Sequence, residues 1–125
     1  MTSQDLKLEK IGILMLGVKD LKAAVAFYSE RLGLPLQMEI PGFAFLNGGG
    51  ITLALSQPLA RASQNLVGAT ELVFQVTDVH AAYRALRERG VSFNSEPHQV
   101  TPSDWAANFT DPDGHRLSVF GPPGL

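Results

Sequence analysis

Two stretches decide how this chain folds: "VKDLKAAVAFYSERLGL" at residues 18–34 and "VTDVHAAYRALRERGV" at residues 76–91. Each opens on Val-x-Asp, runs through an Ala-rich amphipathic segment and closes at a glycine, Gly33 or Gly90. The second begins close to half a chain length after the first, so the sequence reads as two copies of one small unit. Asp20 and Asp78 stand where a helix N-cap is needed, with carboxylates able to accept from the free N–H groups of the first turn. The apolar stripes Leu21, Ala24, Val25, Tyr28, Leu32 and Val79, Ala82, Tyr83, Leu86 recur at helical spacing. Gly33 and Gly90 fit the left-handed position that stops a helix.

Strand-like runs flank both segments. "IGILMLGV" (11–18) and "ELVFQV" (71–76) precede them. "LQMEI" (36–40), "FAFLN" (43–47) and "ITLALS" (51–56) follow the first; "VSF" (91–93), "WAANFT" (105–110) and "RLSVF" (116–120) follow the second. Asp111-Pro112-Asp113-Gly114 is a tight turn joining the last two runs into a hairpin. The expected fold class is therefore α+β. Two βαβββ modules, 1–57 and 70–125, joined by a polar, loop-like linker at 58–69, form one domain. They pair into a curved mixed sheet with helices outside and a concave face inside. Side-chain alternation then sorts each strand. Leu14, Leu16, Val18, Leu72, Phe74, Val76, Phe109, Leu117 and Val119 belong to the helix-covered layer. Ile11, Ile13, Met15, Glu71, Val73, Gln75, Asn108, Thr110, Arg116, Ser118 and Phe120 belong to the concave face.

Composition narrows the functions available. The chain has 125 residues, enough for a real core, and 45% of them are hydrophobic, which suits a compact soluble protein. A formal net charge of −2 with scattered Lys and Arg gives no basic footprint, so nucleic acid is not an expected partner. The absence of cysteine removes disulfides, thiolate metal sites and a cysteine nucleophile. "MTSQDLKLEK" carries no hydrophobic signal region, and Ile11–Val18 is too short to span a bilayer. No membrane association is expected, and a cytoplasmic location is the default expectation.

The three stretches "VKDLKAAVAFYSERLGL", "VTDVHAAYRALRERGV" and "NFTDPDGHRLSVF", in this order and spacing, resemble the vicinal oxygen chelate superfamily. That superfamily groups glyoxalase I, bleomycin-resistance proteins, fosfomycin-resistance enzymes and extradiol dioxygenases. The resemblance implies metal-ligand positions on the first and last strands of each module, normally filled by His, Gln or Glu. Here those positions carry Ile13, Ala54 (or its neighbour Leu53), Glu71 and Ser118. One carboxylate falls short of the roughly three protein ligands a catalytic metal needs, so no metal and no cofactor are expected. His80, His98 and His115 share no ligand spacing and read as surface residues.

Glu71 is the single weak catalytic candidate, a general base if its environment raised its pKa. An ion pair with Arg116, or plain solvent exposure, is the favoured reading. Asp111 and Asp113 are turn formers, and Ser118 has no base evident from spacing. The expected ligand-binding set is Ile13, Met15, Phe45, Ala54, Glu71, Val73, Gln75, Trp105, Asn108, Arg116, Ser118 and Phe120, with Trp105, Phe43 and Phe45 at the rim. Trp105 equally suits a structural strand role. The favoured function is metal-independent binding of a small hydrophobic or aromatic molecule, similar to the bleomycin-resistance type. The alternatives are a glyoxalase- or dioxygenase-like enzyme with an unusual or absent metal site, and a dimeric interaction module. The resemblance implies a homodimer.

Overall fold

A computed structural model describes residue 11, residues 13–62 and residues 70–124. In the first module, β1 (Ile13–Gly17) leads into α1 (Leu21–Val25), which continues as a π-helical segment (Ala26–Arg31). Then come β2 (Leu36–Ile40), β3 (Phe43–Asn47) and β4 (Thr52–Ser56). A short helix, α2 (Gln57–Ala62), opens the connector. The second module repeats the plan with β5 (Glu71–Gln75), α3 (Val79–Glu88), β6 (His98–Gln99), β7 (Trp105–Thr110) and β8 (Arg116–Gly121). Each module is one mixed four-stranded sheet, in the orders β1-β4-β3-β2 and β5-β8-β7-β6. The module's first strand runs parallel to its last, and the remaining pairs are antiparallel. The helices lie outside, against the sheet faces opposite the open ones.

The helix ends follow from the capping residues. The Asp20 carboxylate accepts from the Ala23 N–H at 3.1 Å, and the Asp78 carboxylate from the Ala81 N–H at 2.9 Å. Gly33 and Gly90 hold φ of 81° and 89°, the left-handed conformation that a β-carbon disfavours. The π-helical segment was not anticipated. Its widened turn, with the Leu32 N–H donating to the Phe27 carbonyl, brings both Phe27 and Tyr28 to the buried side.

Leu16, Val18, Ala24, Phe27, Tyr28, Leu46 and Leu55 of the first module join Val79, Leu86, Phe109, Leu117 and Val119 of the second in one continuous core. Phe27 packs on Phe109 with ring centroids 6.5 Å apart. Burying one such aromatic or leucine side chain favours the fold by about 1.5–3 kcal/mol. The helix-covered layers of both sheets feed this core, in the parity expected from alternation. The opposite sheet faces therefore point away from it.

Two segments differ from expectation. "VSF" at 91–93 forms no strand; Phe93 makes a lone bridge to Phe109 and stacks edge-on against Tyr83 at 4.7 Å. Pairing with β7 there is limited to this bridge and to the bonds that Asn94 and Ser95 make to Asn108. The Asn94 N–H donates to the Asn108 carbonyl, and the Ser95 hydroxyl both accepts from the Asn108 N–H and donates to its side-chain oxygen. The strand that pairs with β7 comes later, at His98–Gln99. The linker expected at 58–69 begins helical: the Ser56 hydroxyl accepts from the Leu59 N–H at 3.0 Å and so caps α2, a device the polar composition hid. Residues 63–69 lie outside the described residues. No helix among the described residues is long and apolar enough to cross a membrane.

Candidate functional site

Strand register builds the open face of the first sheet row by row. Met38 lies beside Phe45, Phe45 beside Ala54 and Ala54 beside Met15. The next rows add Ile40, Phe43 and Ser56 on one side and Asn47, Thr52 and Ile13 on the other. The central strand carries the smallest side chains. Ala54 is fully buried beneath its larger neighbours, whereas Ile13 (55%), Met15 (41%) and Met38 (53%) are exposed. Phe43 and Phe45 stack nearly parallel, 6.3 Å between centroids and 11° between planes. The result is a trough with a small-residue floor and walls of thioether, aliphatic and aromatic groups.

The open face of the second sheet has the same plan and a different chemistry. Val73, Ser118 and Asn108 share a row, flanked by Glu71, Arg116 and Thr110 on one side and by Gln75, Phe120 and Ala106 on the other. Ser118 is the buried floor residue here, as Ala54 is in the first sheet, and Val73 is exposed. The Ser118 hydroxyl donates to Glu71 Oε2 at 3.1 Å, and Arg116 Nε lies 3.4 Å from Glu71 Oε1. The ion pair favoured from the sequence is thus present, with the Ser118 contact added to it. Asn108 already accepts from Ser95, which fixes its side chain.

The structure brings eleven of the twelve expected ligand-binding residues onto these open faces, divided between the two sheets: Ile13, Met15, Phe45 and Ala54 on the first, and Glu71, Val73, Gln75, Asn108, Arg116, Ser118 and Phe120 on the second. Trp105 is the exception. It shares the parity of Ala107 and Phe109, packs against the core and lies 5.3 Å from the His80 ring, so it belongs to the helix-covered side and not to the rim. Sequence reasoning also passed over Met38 and Ile40. Their signal was the alternation in "LQMEI", obscured by the irregularity between Leu36 and Met38 that shifts the register.

Two histidines depart from the surface reading. His80 is half-buried, with Nδ1 against the Pro123 carbonyl and its ring on Trp105. His115 Nδ1 meets Asp111 Oδ2 at 2.7 Å. His98 is exposed as expected. Asp111 is more than a turn former. Its buried carboxylate accepts from the Tyr28 hydroxyl (2.8 Å), the His115 ring, and the backbone N–H groups of Asp113 (3.0 Å) and His115 (2.8 Å). Burial pushes this carboxyl up, but the bonds from His115 and Tyr28 outweigh it and hold the pKa below its ordinary value. The same bond to Asp111 raises His115, against the opposing effect of burial. Burial, then the adjacent Asp111 charge, pushes the Tyr28 phenol far up, so it stays a donor. This cluster ties the π-helical segment of one module to the β7–β8 turn of the other.

The donor set does not fit a divalent cation. Of the four positions that the resemblance assigns to ligands, Ile13 and Ala54 have no donor atom, and the Glu71 carboxylate is shared by Ser118 and Arg116. No group of three or more His, Cys, Asp or Glu side chains converges anywhere among the described residues. The open faces are suited to contact with an apolar or planar surface, with a hydroxyl, an amide and a guanidinium to orient it.

Two modules of one strand, one helix and three strands, each with a small-residue floor on its uncovered face, define a small-molecule-binding fold. The Glyoxalase/Bleomycin resistance protein/Dioxygenase superfamily model matches residues 10–119, and the chain belongs to that superfamily. The uncharacterized protein YraH of Bacillus subtilis (strain 168) is 32% identical over 130 residues, spanning 92% of this chain and 98% of its own. A glyoxalase/bleomycin resistance protein/dioxygenase from Nocardioides has a crystal structure that superposes with a TM-score of 0.77 at 30% identity, covering 96% of this chain and 91% of that one. The crystal structure of TnmS3, an antibiotic binding protein from Streptomyces sp. CB03234, gives a TM-score of 0.76 at 26% identity over 94% of this chain and 98% of its own.

Proposed function

We propose that this protein binds a small hydrophobic or aromatic molecule on its open sheet faces, without a metal ion, and that two copies pair to cover those faces. The row Met38–Phe45–Ala54–Met15 carries the reading. A planar ring set on Ala54 would meet an aromatic ring and two polarizable thioethers, contacts that suit flat apolar ligands. Arg116, Gln75 and Asn108 on the other sheet supply polar contacts that fix orientation. An uncovered apolar face of this extent is unusual on a monomer, which favours a paired form. The likeness to an antibiotic binding protein is in keeping with sequestration.

A second reading rests on one contact. The Ser118 hydroxyl donates to Glu71, so Glu71 is a carboxylate on the open face that already takes up a hydroxyl proton's hydrogen bond, the geometry a metal-free general base requires. The other carboxylate oxygen, Oε1, is engaged by Arg116, which makes this the lesser role.

A thermal-shift panel of planar aromatic compounds, run with EDTA and with added divalent ions, tests the proposal, because a ligand of the native state raises the melting temperature. Aromatic compounds are expected to raise it equally in both conditions, and Phe45→Ala to reduce the shift. Light scattering is expected to give the mass of two chains. Shifts that require a divalent ion, or a stoichiometric metal in protein purified without chelator and lost in Glu71→Ala, would instead favour a metalloenzyme. Turnover of a bound compound that Glu71→Gln abolishes would favour the second reading.

A further inference from the structure

Away from the open faces, on the helix side, lies a cavity of about 270 Å³ between the modules. Leu32 and Leu34, just past the first helix, form one wall; Phe74 of β5 and Ala82 and Ala85 of α3 form others. Phe74 has the opposite parity to Val73, so this space and the open face of β5 lie on different sides of the same strand. The cavity opens to solvent on the side of Arg89, which is exposed, so a ligand can reach it from outside. Its lining is apolar with one exception, Arg89.

Arg89 sits at the C-terminus of α3 and reaches across to the first module, where Nη1 donates to the Arg31 carbonyl at 3.0 Å. Among the described residues its guanidinium has no carboxylate within ion-pair distance. A guanidinium carries five N–H donors in a planar fork. One of them bridges the modules, and others remain for a ligand. An apolar pocket bordered by a cation that has no carboxylate partner among the described residues is matched by a molecule with an apolar body and an anionic head. Size can be bounded as well. A cavity of about 150 Å³ takes a benzene ring, so one of this volume takes roughly ten non-hydrogen atoms.

We propose that this inter-module cavity is a second binding site, for a small amphiphilic carboxylate of roughly ten non-hydrogen atoms, with its carboxylate on Arg89 and its hydrocarbon part between Leu34, Phe74 and Ala85. The alkyl or aryl part displaces water from apolar walls, and the head group completes the donor fork of Arg89. The site is separate from the open faces and does not depend on how those are used. Occupied, it would fasten the end of the first helix to α3.

Titration calorimetry with octanoate and, in parallel, octan-1-ol tests the assignment on the full chain. Octanoate is expected to bind saturably, one per chain. Arg89→Gln is expected to weaken octanoate roughly five- to tenfold while leaving octan-1-ol unchanged, since only the charged head uses the guanidinium. Ala85→Phe fills the chamber and is expected to abolish binding of both; Ala82→Leu, a smaller filling, provides the same reading should Ala85→Phe fail to fold. Phe45→Ala, on the open face, is expected to leave octanoate binding intact. Absence of saturable octanoate binding would overturn the proposal. So would unchanged octanoate affinity in Arg89→Gln, or loss in Phe45→Ala with retention in Ala85→Phe, which would seat the amphiphile on the open face.

Discussion

Replacing Tyr28 by Phe removes one oxygen atom from the junction between the modules and keeps the ring. Tyr28 is fully buried, and its edge-on packing against Phe27, 5.3 Å between centroids, does not involve the hydroxyl. The loss is therefore confined to one hydrogen bond onto a charged, buried carboxylate, 2.8 Å long. Bonds of that kind contribute about 1.5–3 kcal/mol. Three other donors stay on Asp111, from the His115 ring, the His115 backbone and the Asp113 backbone, so the carboxylate is not orphaned. The expected cost is accordingly at the low end, about 1.5 kcal/mol. Asp111→Ala makes the contrast. It leaves the Tyr28 hydroxyl buried without an acceptor and frees two turn N–H groups, and is expected to cost about 3–5 kcal/mol, the range for breaking a buried charged pair. Urea unfolding at pH 6, read as the shift in midpoint at constant slope, measures both. In a double-mutant cycle the two losses should not add, because they share one bond. A Tyr28→Phe variant within about 0.3 kcal/mol of the parent, or strict additivity in the cycle, would refute the reasoning.

The same cluster sets a pH dependence. His115 has a raised pKa in the fold, so its contribution is complete below its unfolded value of 6.5 and is lost as pH rises through the raised one. Asp111 has a lowered pKa, so its contribution is complete above its unfolded value of 3.8 and is lost as pH falls through the lowered one. Urea midpoints measured across the range should peak between those two unfolded values, and His115→Gln should flatten the alkaline decline. Asp78→Ala removes the cap of α3 and should cost about 1 kcal/mol by the same assay. Gly121→Ala should cost more, at least about 2 kcal/mol, because its β-carbon would collide with the Val76 carbonyl, which is backbone and cannot step aside. Arg116→Ala should change stability by less than about 1 kcal/mol, since that ion pair is largely solvent-exposed.

The architecture was legible because the signals were local and duplicated. The paired Val-x-Asp openings marked two helix starts, and the Asp20 and Asp78 carboxylates do cap them. Alternation in "ILMLG" and "ELVFQ" sorted buried from open side chains correctly. What stayed illegible depended on contacts across the modules. Nothing near His115 in sequence announces Tyr28, which lies at the far end of the first helix, and the hydrogen-bonded cluster exists only after the modules dock. Trp105 was readable: it has the parity of Phe109, which alternation had already put in the helix-covered layer, but its size and position at the start of the strand suggested a rim residue instead. The strand expected at "VSF" does not form. Phe93 packs on Tyr83 and Phe109, and the Ser95 side chain bonds to Asn108 in place of continued strand pairing.

The open faces themselves can be interrogated through sulfur. Met15 and Met38 flank Ala54 and Phe45 in one row, and the chain has only 3 methionines, so methyl-labelled methionine gives a sparse, assignable spectrum. Titration with 2-naphthol in EDTA is the most direct measurement. Saturable shifts of the Met15 and Met38 methyl signals, of equal size without EDTA, are the predicted result. Silent methionines, or shifts that appear only after a divalent ion is added, would contradict it.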